Sequence, residues 1–149
     1  MHLKQKAHAH FLQVANEKIA SLQAVLAGLK ESAANETKST AGDKHETALA
    51  MLQIEEANTR QQLQQVIGQK DILQKINPAI ATVSVVNGSL IQTGKGYLFM
   101  SAALGKANLE GHEVTALSAQ SPLGKKLMGL AAGAVVEINN SKYVILNIF

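Results

Sequence analysis

From Leu12 onward, apolar residues recur at alternating steps of three and four: Leu12, Ala15, Ile19, Leu22, Leu26, Leu29 and Ala33. This 3.5-residue repeat draws one stripe along a helix, and the stripe needs a second helix to cover it. No proline interrupts the chain from Leu3 to Asn77, so the covering helix can come from the same chain. A second helical segment is predicted from near Asp43 to about Ile76. Ala48, Leu49, Met51, Leu52 and Ile54 crowd its first turns, and Leu63, Val66, Ile67, Ile72, Leu73 and Ile76 supply its later part. Residues 55–62 between them are polar. The two segments are separated by Ser39-Thr40-Ala41-Gly42-Asp43-Lys44-His45-Glu46, a glycine-containing break of the kind at which an antiparallel helical hairpin turns. Two arms of about 30 residues, at 1.5 Å per residue, give a hairpin about 45 Å long. So thin a rod has little core and needs bracing at its base by a second domain.

Composition narrows the function classes. At 149 residues the chain fits one or two small domains, and its 46% hydrophobic content is that of a globular protein. Aromatic residues make up 3%, with no Trp, too few for a base-stacking platform. The net charge of +3 lacks the dense basic face of a DNA-coating protein. Without cysteine, thiol catalysis, disulfides and cysteine-based zinc sites are excluded. No run of 18 apolar residues predicts a membrane span, and Met1-His2-Leu3-Lys4-Gln5-Lys6 is followed by no apolar signal region. The cytoplasm is the expected compartment, with no membrane partner. Residues 1–10 carry His2, His8 and His10 and read as a solvated, frayed terminus rather than a metal site, since His8 and His10 fall on different sides of a helix.

Asn77-Pro78 ends the second helix, because the residue before proline avoids the helical region. The expected domains are therefore residues 1–77, the hairpin with its tip near 39–46, and residues 78–149. The second reads as short strands with turns between them. Val83–Val86 is strand-like and Asn87-Gly88 a turn. Ser89–Thr93 and Tyr97–Met100 flank Gly94-Lys95-Gly96 as a hairpin, and Glu113–Leu117 is a further strand. Ser121-Pro122 opens a helix, with Ser as N-cap and Pro at the first position, and Leu123, Leu127, Met128 and Leu130 as its apolar face. Val135–Ile138 and Tyr143–Phe149 form a last hairpin around Asn139-Asn140-Ser141. The fold class is α+β: a coiled-coil helical hairpin followed by a small antiparallel sheet packed on one helix.

Asp43 and Glu46 invite two readings. Asp43 as N-cap with Glu46 as third helical residue makes a capping box, with both charges at the positive end of the helix dipole. Alternatively the two carboxylates sit side by side and chelate a hard divalent cation. Mg²⁺ takes one or two carboxylates and fills its remaining positions with water or substrate phosphates, so such a pair needs a partner to complete the site. The readings are compatible. Gly94-Lys95-Gly96 lacks the spacing of a phosphate loop. Lys125-Lys126 reads as surface charge or a partner contact.

Two stretches resemble the Gre family of bacterial transcript cleavage factors. Gly42-Asp43-Lys44-His45-Glu46 is similar to that family's tip motif, Gly-Asp-x-x-Glu, between two coiled-coil helices. Ser121-Pro122-Leu123-Gly124-Lys125-Lys126-Leu127-Met128-Gly129, then Gly133-Ala134-Val135-Val136-Glu137-Ile138, resembles its Ser-Pro helix and following strand. The resemblance covers nearly the full chain. It implies an FKBP-like C-terminal domain docking on RNA polymerase through residues such as Ser121, Pro122, Lys125 and Lys126. It also implies a coiled coil reaching into the polymerase secondary channel. There Asp43 and Glu46 would act as the catalytic carboxylates, sharing a Mg²⁺ supplied by the polymerase active site, with Lys38 and Lys44 near the 3′ end of backtracked RNA. The chain itself would then be no enzyme and would take neither a cofactor of its own nor a small-molecule substrate. The implied function is a transcription elongation factor that stimulates transcript cleavage; the alternative is a secondary-channel regulator that does not cleave. The chain departs from the family pattern at Ser39 and Ile54, where the family often has Arg, and in Thr47-Ala48-Leu49 after the tip.

Overall fold

The computed structural model describes residues 2–37 and 42–149, and the side chains of all of these except residues 37 and 42–45. Helix α1 spans His2–Thr37 and α2 spans Gly42–Gln74. Six strands and one short helix follow: β1 (Leu90–Thr93), β2 (Gly96–Ser101), β3 (Gly105–Leu109), β4 (His112–Ser118), α3 (Pro122–Leu127), β5 (Val135–Ile138) and β6 (Ser141–Ile148). The architecture is α+β, a helical hairpin followed by a small, mostly antiparallel sheet. Two compact units divide the chain inside both helices: Met1–Val14 with Gln69–Phe149, and Ala15–Gly68.

In the unit Ala15–Gly68 the repeat read from the sequence is the buried stripe. Ala15, Ile19, Leu22, Leu26, Leu29 and Ala33 are buried or half-buried, and every other residue from 16 to 35 is exposed. The α2 stripe keeps the same period through Leu49, Leu52, Glu56, Thr59, Leu63 and Val66. Glu56 and Thr59 therefore occupy core-type positions. Each satisfies its polar atoms within its own helix: the Thr59 hydroxyl donates to the Glu55 carbonyl at 2.8 Å, and Arg60 donates to the Glu56 carboxylate at 2.6 Å. Met51 and Ile54, expected among the apolar residues crowding this helix, are instead about 60% exposed on its outer side. The period explains the correction, since neither lies three or four residues from the stripe positions on both sides.

The other unit contains the first turns of α1, the last turns of α2, the sheet and α3. Residues 2–10 are helical rather than frayed. Leu3, Lys4, Ala7 and Phe11 are buried, the Phe11 ring stacks on Phe99 at 6.4 Å between centroids, and a His8 ring nitrogen bonds the Leu73 carbonyl at 2.7 Å. These tertiary contacts hold a segment that its polar composition alone leaves loose.

The strand order is β3-β4-β2-β1-β6-β5. All pairs are antiparallel except β2 with β4, where Tyr97 to Ser101 run alongside Val114 to Ser118. Alternation along the strands gives two apolar faces. Ile91, Leu98, Met100, Leu117, Val136 and Ile145 form one core with Val85 and Leu127. Leu90, Phe99, Val114 and Ala116 bury the opposite face, where Phe99 meets Phe11. Val83–Val86 forms no strand, only a bridge from Ser84 to Ala131. Its backbone is bent by local bonds, with the Val86 N–H donating to the Ser89 hydroxyl and the Ser89 N–H to the Val86 carbonyl. Strand β3 was not predicted. Gly105-Lys106-Ala107-Asn108-Leu109 has low β-propensity and is held by pairing with β4. The connecting turn places Glu110 and Gly111 at positive φ, 54° and 81°, the backbone of a two-residue hairpin turn.

Candidate functional site

The break between the helices lies where the two stripes end. Lys38, Ser39, Thr40 and Ala41 fall outside the described residues, as do the side chains of Asp43, Lys44 and His45. Helix α2 begins at Gly42, so the backbone of Asp43 is already helical and Glu46 lies one turn further on. Residues three apart on a helix are neighbours on its surface, which puts positions 43 and 46 on one side. Glu46 is exposed, and no hydrogen bond or ion pair engages its carboxylate among the described residues. Carboxylate oxygens are the hard ligands that suit Mg²⁺, but two carboxylates leave most of an octahedral shell unfilled. Among the described residues no group of three or more His, Asp or Glu side chains could hold a metal ion. A cation here would need the remaining ligands from elsewhere. The outer surface of α2 beside this turn carries Ala50, Met51 and Ile54, all exposed and uncharged.

The second group of candidate residues is built on α3. Ser121 has extended backbone angles, φ −67° and ψ 158°, and its hydroxyl oxygen accepts the Gly124 N–H at 3.0 Å. The same hydroxyl donates to the Ser118 carbonyl at 2.7 Å. Pro122 occupies the first helical position, where no N–H is required. The hydroxyl of Ser121 is thus committed to the turn, whereas Pro122, Lys125 and Lys126 are exposed. The Lys126 ammonium reaches the Glu137 carbonyl on β5 at 2.8 Å, and the Lys125 ammonium has no partner among the described residues. Met128, expected on the apolar face of α3, is exposed because the helix ends at Leu127 and its cap has non-helical angles.

Two residues of this region carry roles that patterning did not assign. Gly124 is buried, and a Cβ placed on it would lie 2.0 Å from the Ser118 carbonyl oxygen; only the hydroxyl-capped turn around it hints at so close an approach. Tyr143 carries the Lys95 ammonium over its ring at 4.8 Å from the centroid, which ties the β1–β2 turn to β6.

No family model matches the chain, and no curated protein matches it. Among solved structures it is similar to one described as the structure of the transcription factor Gfh1, with 15% identity over 96% of this chain and 91% of that one. The TM-score of that superposition is 0.33, too low to carry an argument about function. Among the described residues no helix is long and apolar enough to cross a membrane.

Proposed function

We propose that the protein is a Gre-like transcription elongation factor that binds bacterial RNA polymerase in its secondary channel and stimulates cleavage of backtracked RNA there. The observation that carries this reading is the placing of two motifs in their expected local settings. Gly42-Asp43-Lys44-His45-Glu46 opens the second helix of a hairpin, and Ser121-Pro122 caps a helix that leads into β5. An exposed Glu46 one helical turn from Asp43 suits a factor that lends carboxylate oxygens to a metal held by another enzyme. Two metals that clamp the attacking and leaving oxygens hydrolyse phosphodiesters. In this reading Asp43 and Glu46 would hold the second Mg²⁺ of the polymerase, and that ion would supply the activation of water. Lys38 and Lys44 lie near the RNA end, and Pro122, Lys125 and Lys126 contact the polymerase. The chain has no hydrolytic activity of its own.

The test is a cleavage assay on stalled, backtracked elongation complexes. Asp43→Ala and Glu46→Ala should each abolish stimulated cleavage and leave polymerase binding intact. Cleavage unchanged in both variants refutes the chemical role of the tip.

The exposed Ile54, where the family often places Arg, favours a second reading, a channel-occupying regulator that does not cleave. In that case the wild-type chain binds polymerase, competes with cleavage factors and leaves backtracked RNA uncut.

A further inference from the structure

Asn87-Gly88 is the one Asn-Gly pair in the sequence. It sets an amide side chain beside a backbone nitrogen that no Cβ shields, because glycine has none. Such a pair can modify itself with water as the only co-reactant. The Gly88 nitrogen gives up its proton and bonds to Cγ of Asn87, the side-chain nitrogen leaves as ammonia, and a succinimide ring closes. Water then opens the ring at one of its two carbonyls. One opening leaves aspartate; the other leaves isoaspartate, in which the main chain runs through the side chain. Nothing is oxidised or reduced.

The fold holds both partners back from this reaction. Asn87 is exposed, so water reaches its amide, but Gly88 is buried. The Gly88 N–H donates to the Met100 carbonyl at 2.7 Å, which ties the attacking nitrogen to the end of β2 and keeps its proton in place. The Ser89 N–H donates to the Val86 carbonyl at 3.0 Å, closing a turn in which Gly88 has φ 98° and Asn87 has no positive φ. That is the type II pattern, whose first central residue has ψ about +120°. Ring closure needs the Asn87 Cβ and the Gly88 nitrogen nearly eclipsed about Cα–C, and this ψ sets them about 120° apart. The turn is also anchored on both sides. The fully buried Ser89 accepts the Val86 N–H on its hydroxyl at 2.9 Å. Ile76 packs so close that a Cβ on Gly88 would lie 3.0 Å from its Cγ2. Rotating the peptide into position therefore requires the Met100 bond and the turn to open together.

We propose that Asn87-Gly88 is a deamidation site gated by the fold, silent while the turn before β1 is shut and converted to aspartate and isoaspartate when the sheet-containing unit opens. Isoaspartate adds one carbon atom to the main chain between Val86 and Gly88. The Val86–Ser89 bonds and the Gly88–Met100 bond then no longer fall in register, so a chain marked in this way does not reclose its turn. The site turns a transient opening into a lasting chemical record. It is independent of the tip carboxylates, so it stands whether or not the transcriptional reading does.

The test incubates the full chain at one pH and temperature in buffer, in urea below the unfolding transition and in urea that unfolds it. The peptide containing residue 87 is followed by mass spectrometry for exchange of amide for acid. Conversion should be at least about tenfold slower in the folded chain than in the unfolded one, since several bonds must open first. It should rise with urea before the main transition. Val136→Ala thins the core of the same unit and should speed conversion in buffer. Asn87→Gln, which would have to close a larger ring, should show no conversion at residue 87 under any of these conditions. Chains carrying isoaspartate, separated chromatographically, should not recover the native Gly88 amide shift when urea is removed. Equal rates in folded and unfolded chains, or an unfolded chain that does not convert, overturns the proposal. So does a rate in buffer that neither low urea nor Val136→Ala changes, or a native Gly88 shift recovered by the isoaspartate form.

Discussion

Replacing Gly124 with Ala should destabilise the sheet-containing unit far more than one methyl group suggests. The added Cβ would sit 2.0 Å from the Ser118 carbonyl oxygen, 2.9 Å from the Ser118 carbonyl carbon and 2.9 Å from the Ser121 hydroxyl oxygen. Two of the three obstacles are backbone atoms, so no side-chain rotation relieves the clash. Reaching even about 3.0 Å requires one backbone to move by about 1 Å, the scale at which close-packed interiors yield only at a cost of about 1–3 kcal/mol. The same movement disturbs three bonds that converge on this turn. They are the Ser121 N–H and hydroxyl to the Ser118 carbonyl, and the Gly124 N–H to the Ser121 hydroxyl. Each such bond contributes about 1 kcal/mol net. The better helix propensity of Ala returns about 1 kcal/mol. The expected loss is about 2–4 kcal/mol, a large part of the 5–15 kcal/mol typical of a folded domain. With a urea slope of about 2 kcal/mol per molar, the middle of the usual range, the midpoint should fall by about 1–2 M. It should be read from the amide resonances of Val136 and Ile145 in the core beside α3. An unchanged or raised midpoint would refute the steric argument.

Glycines in open space should respond in the opposite sense. Gly28→Ala and Gly68→Ala meet nothing within 4 Å, so each should raise stability by up to about 1 kcal/mol, seen as a higher urea midpoint of helical circular dichroism. Glu56→Leu places an apolar side chain on the stripe between Leu52 and Thr59. It should also raise that midpoint, since the Arg60 contact it removes is an exposed helical pair. The Glu110 carboxylate accepts a hydrogen bond from Lys6, which holds its pKa below the usual glutamate range, aided by the charge of Lys6 and of nearby His2 and His112. Its folded-state value lies below its unfolded one, so the linked stability is complete at neutral pH and is lost as pH falls through the folded value. Carboxyl ¹³C titration should give Glu110 a low midpoint that rises in Lys6→Met.

The hairpin was legible because its information is periodic. Seven residues from Leu12 to Ala33 predicted a stripe that the structure buries residue by residue. The α2 stripe was harder to read because Glu56 and Thr59 interrupt its polarity without interrupting its period, and Met51 and Ile54 offered apolar side chains off it. The N-terminal turns were misread for a physical reason: His2, Lys4, Lys6, His8 and His10 look solvated until Phe11 stacks on Phe99 and Lys4 reaches main-chain oxygens of Ile80 and Phe149, 76 and 145 positions away. Strand β3 was invisible because its order comes from β4, and Val83–Val86 has strand composition but Val85 bonds Gly129 and Leu130 after α3 while Val86 turns back on Ser89. The cap at Ser121 was readable from Ser-Pro, whereas the close approach at Gly124 depends on where residue 118 passes. At the candidate site the spacing of Asp43 and Glu46 was legible, while Lys38 and the side chains of Asp43 and Lys44 lie outside what the structure describes.

The strand order also governs when the protein can fold as it leaves the ribosome. The hairpin of Ala15–Gly68 has all its partners once α2 has emerged. The sheet does not, because β6 lies between β1 and β5 and pairs with both. Until Ser141–Ile148 is made, β5 has no strand to join and β1 shows an open edge. The first turn of α1 waits with them, since Lys4 is tied to Phe149, which directly follows β6. Loss of that one strand would therefore release the first turns of the chain as well as the last.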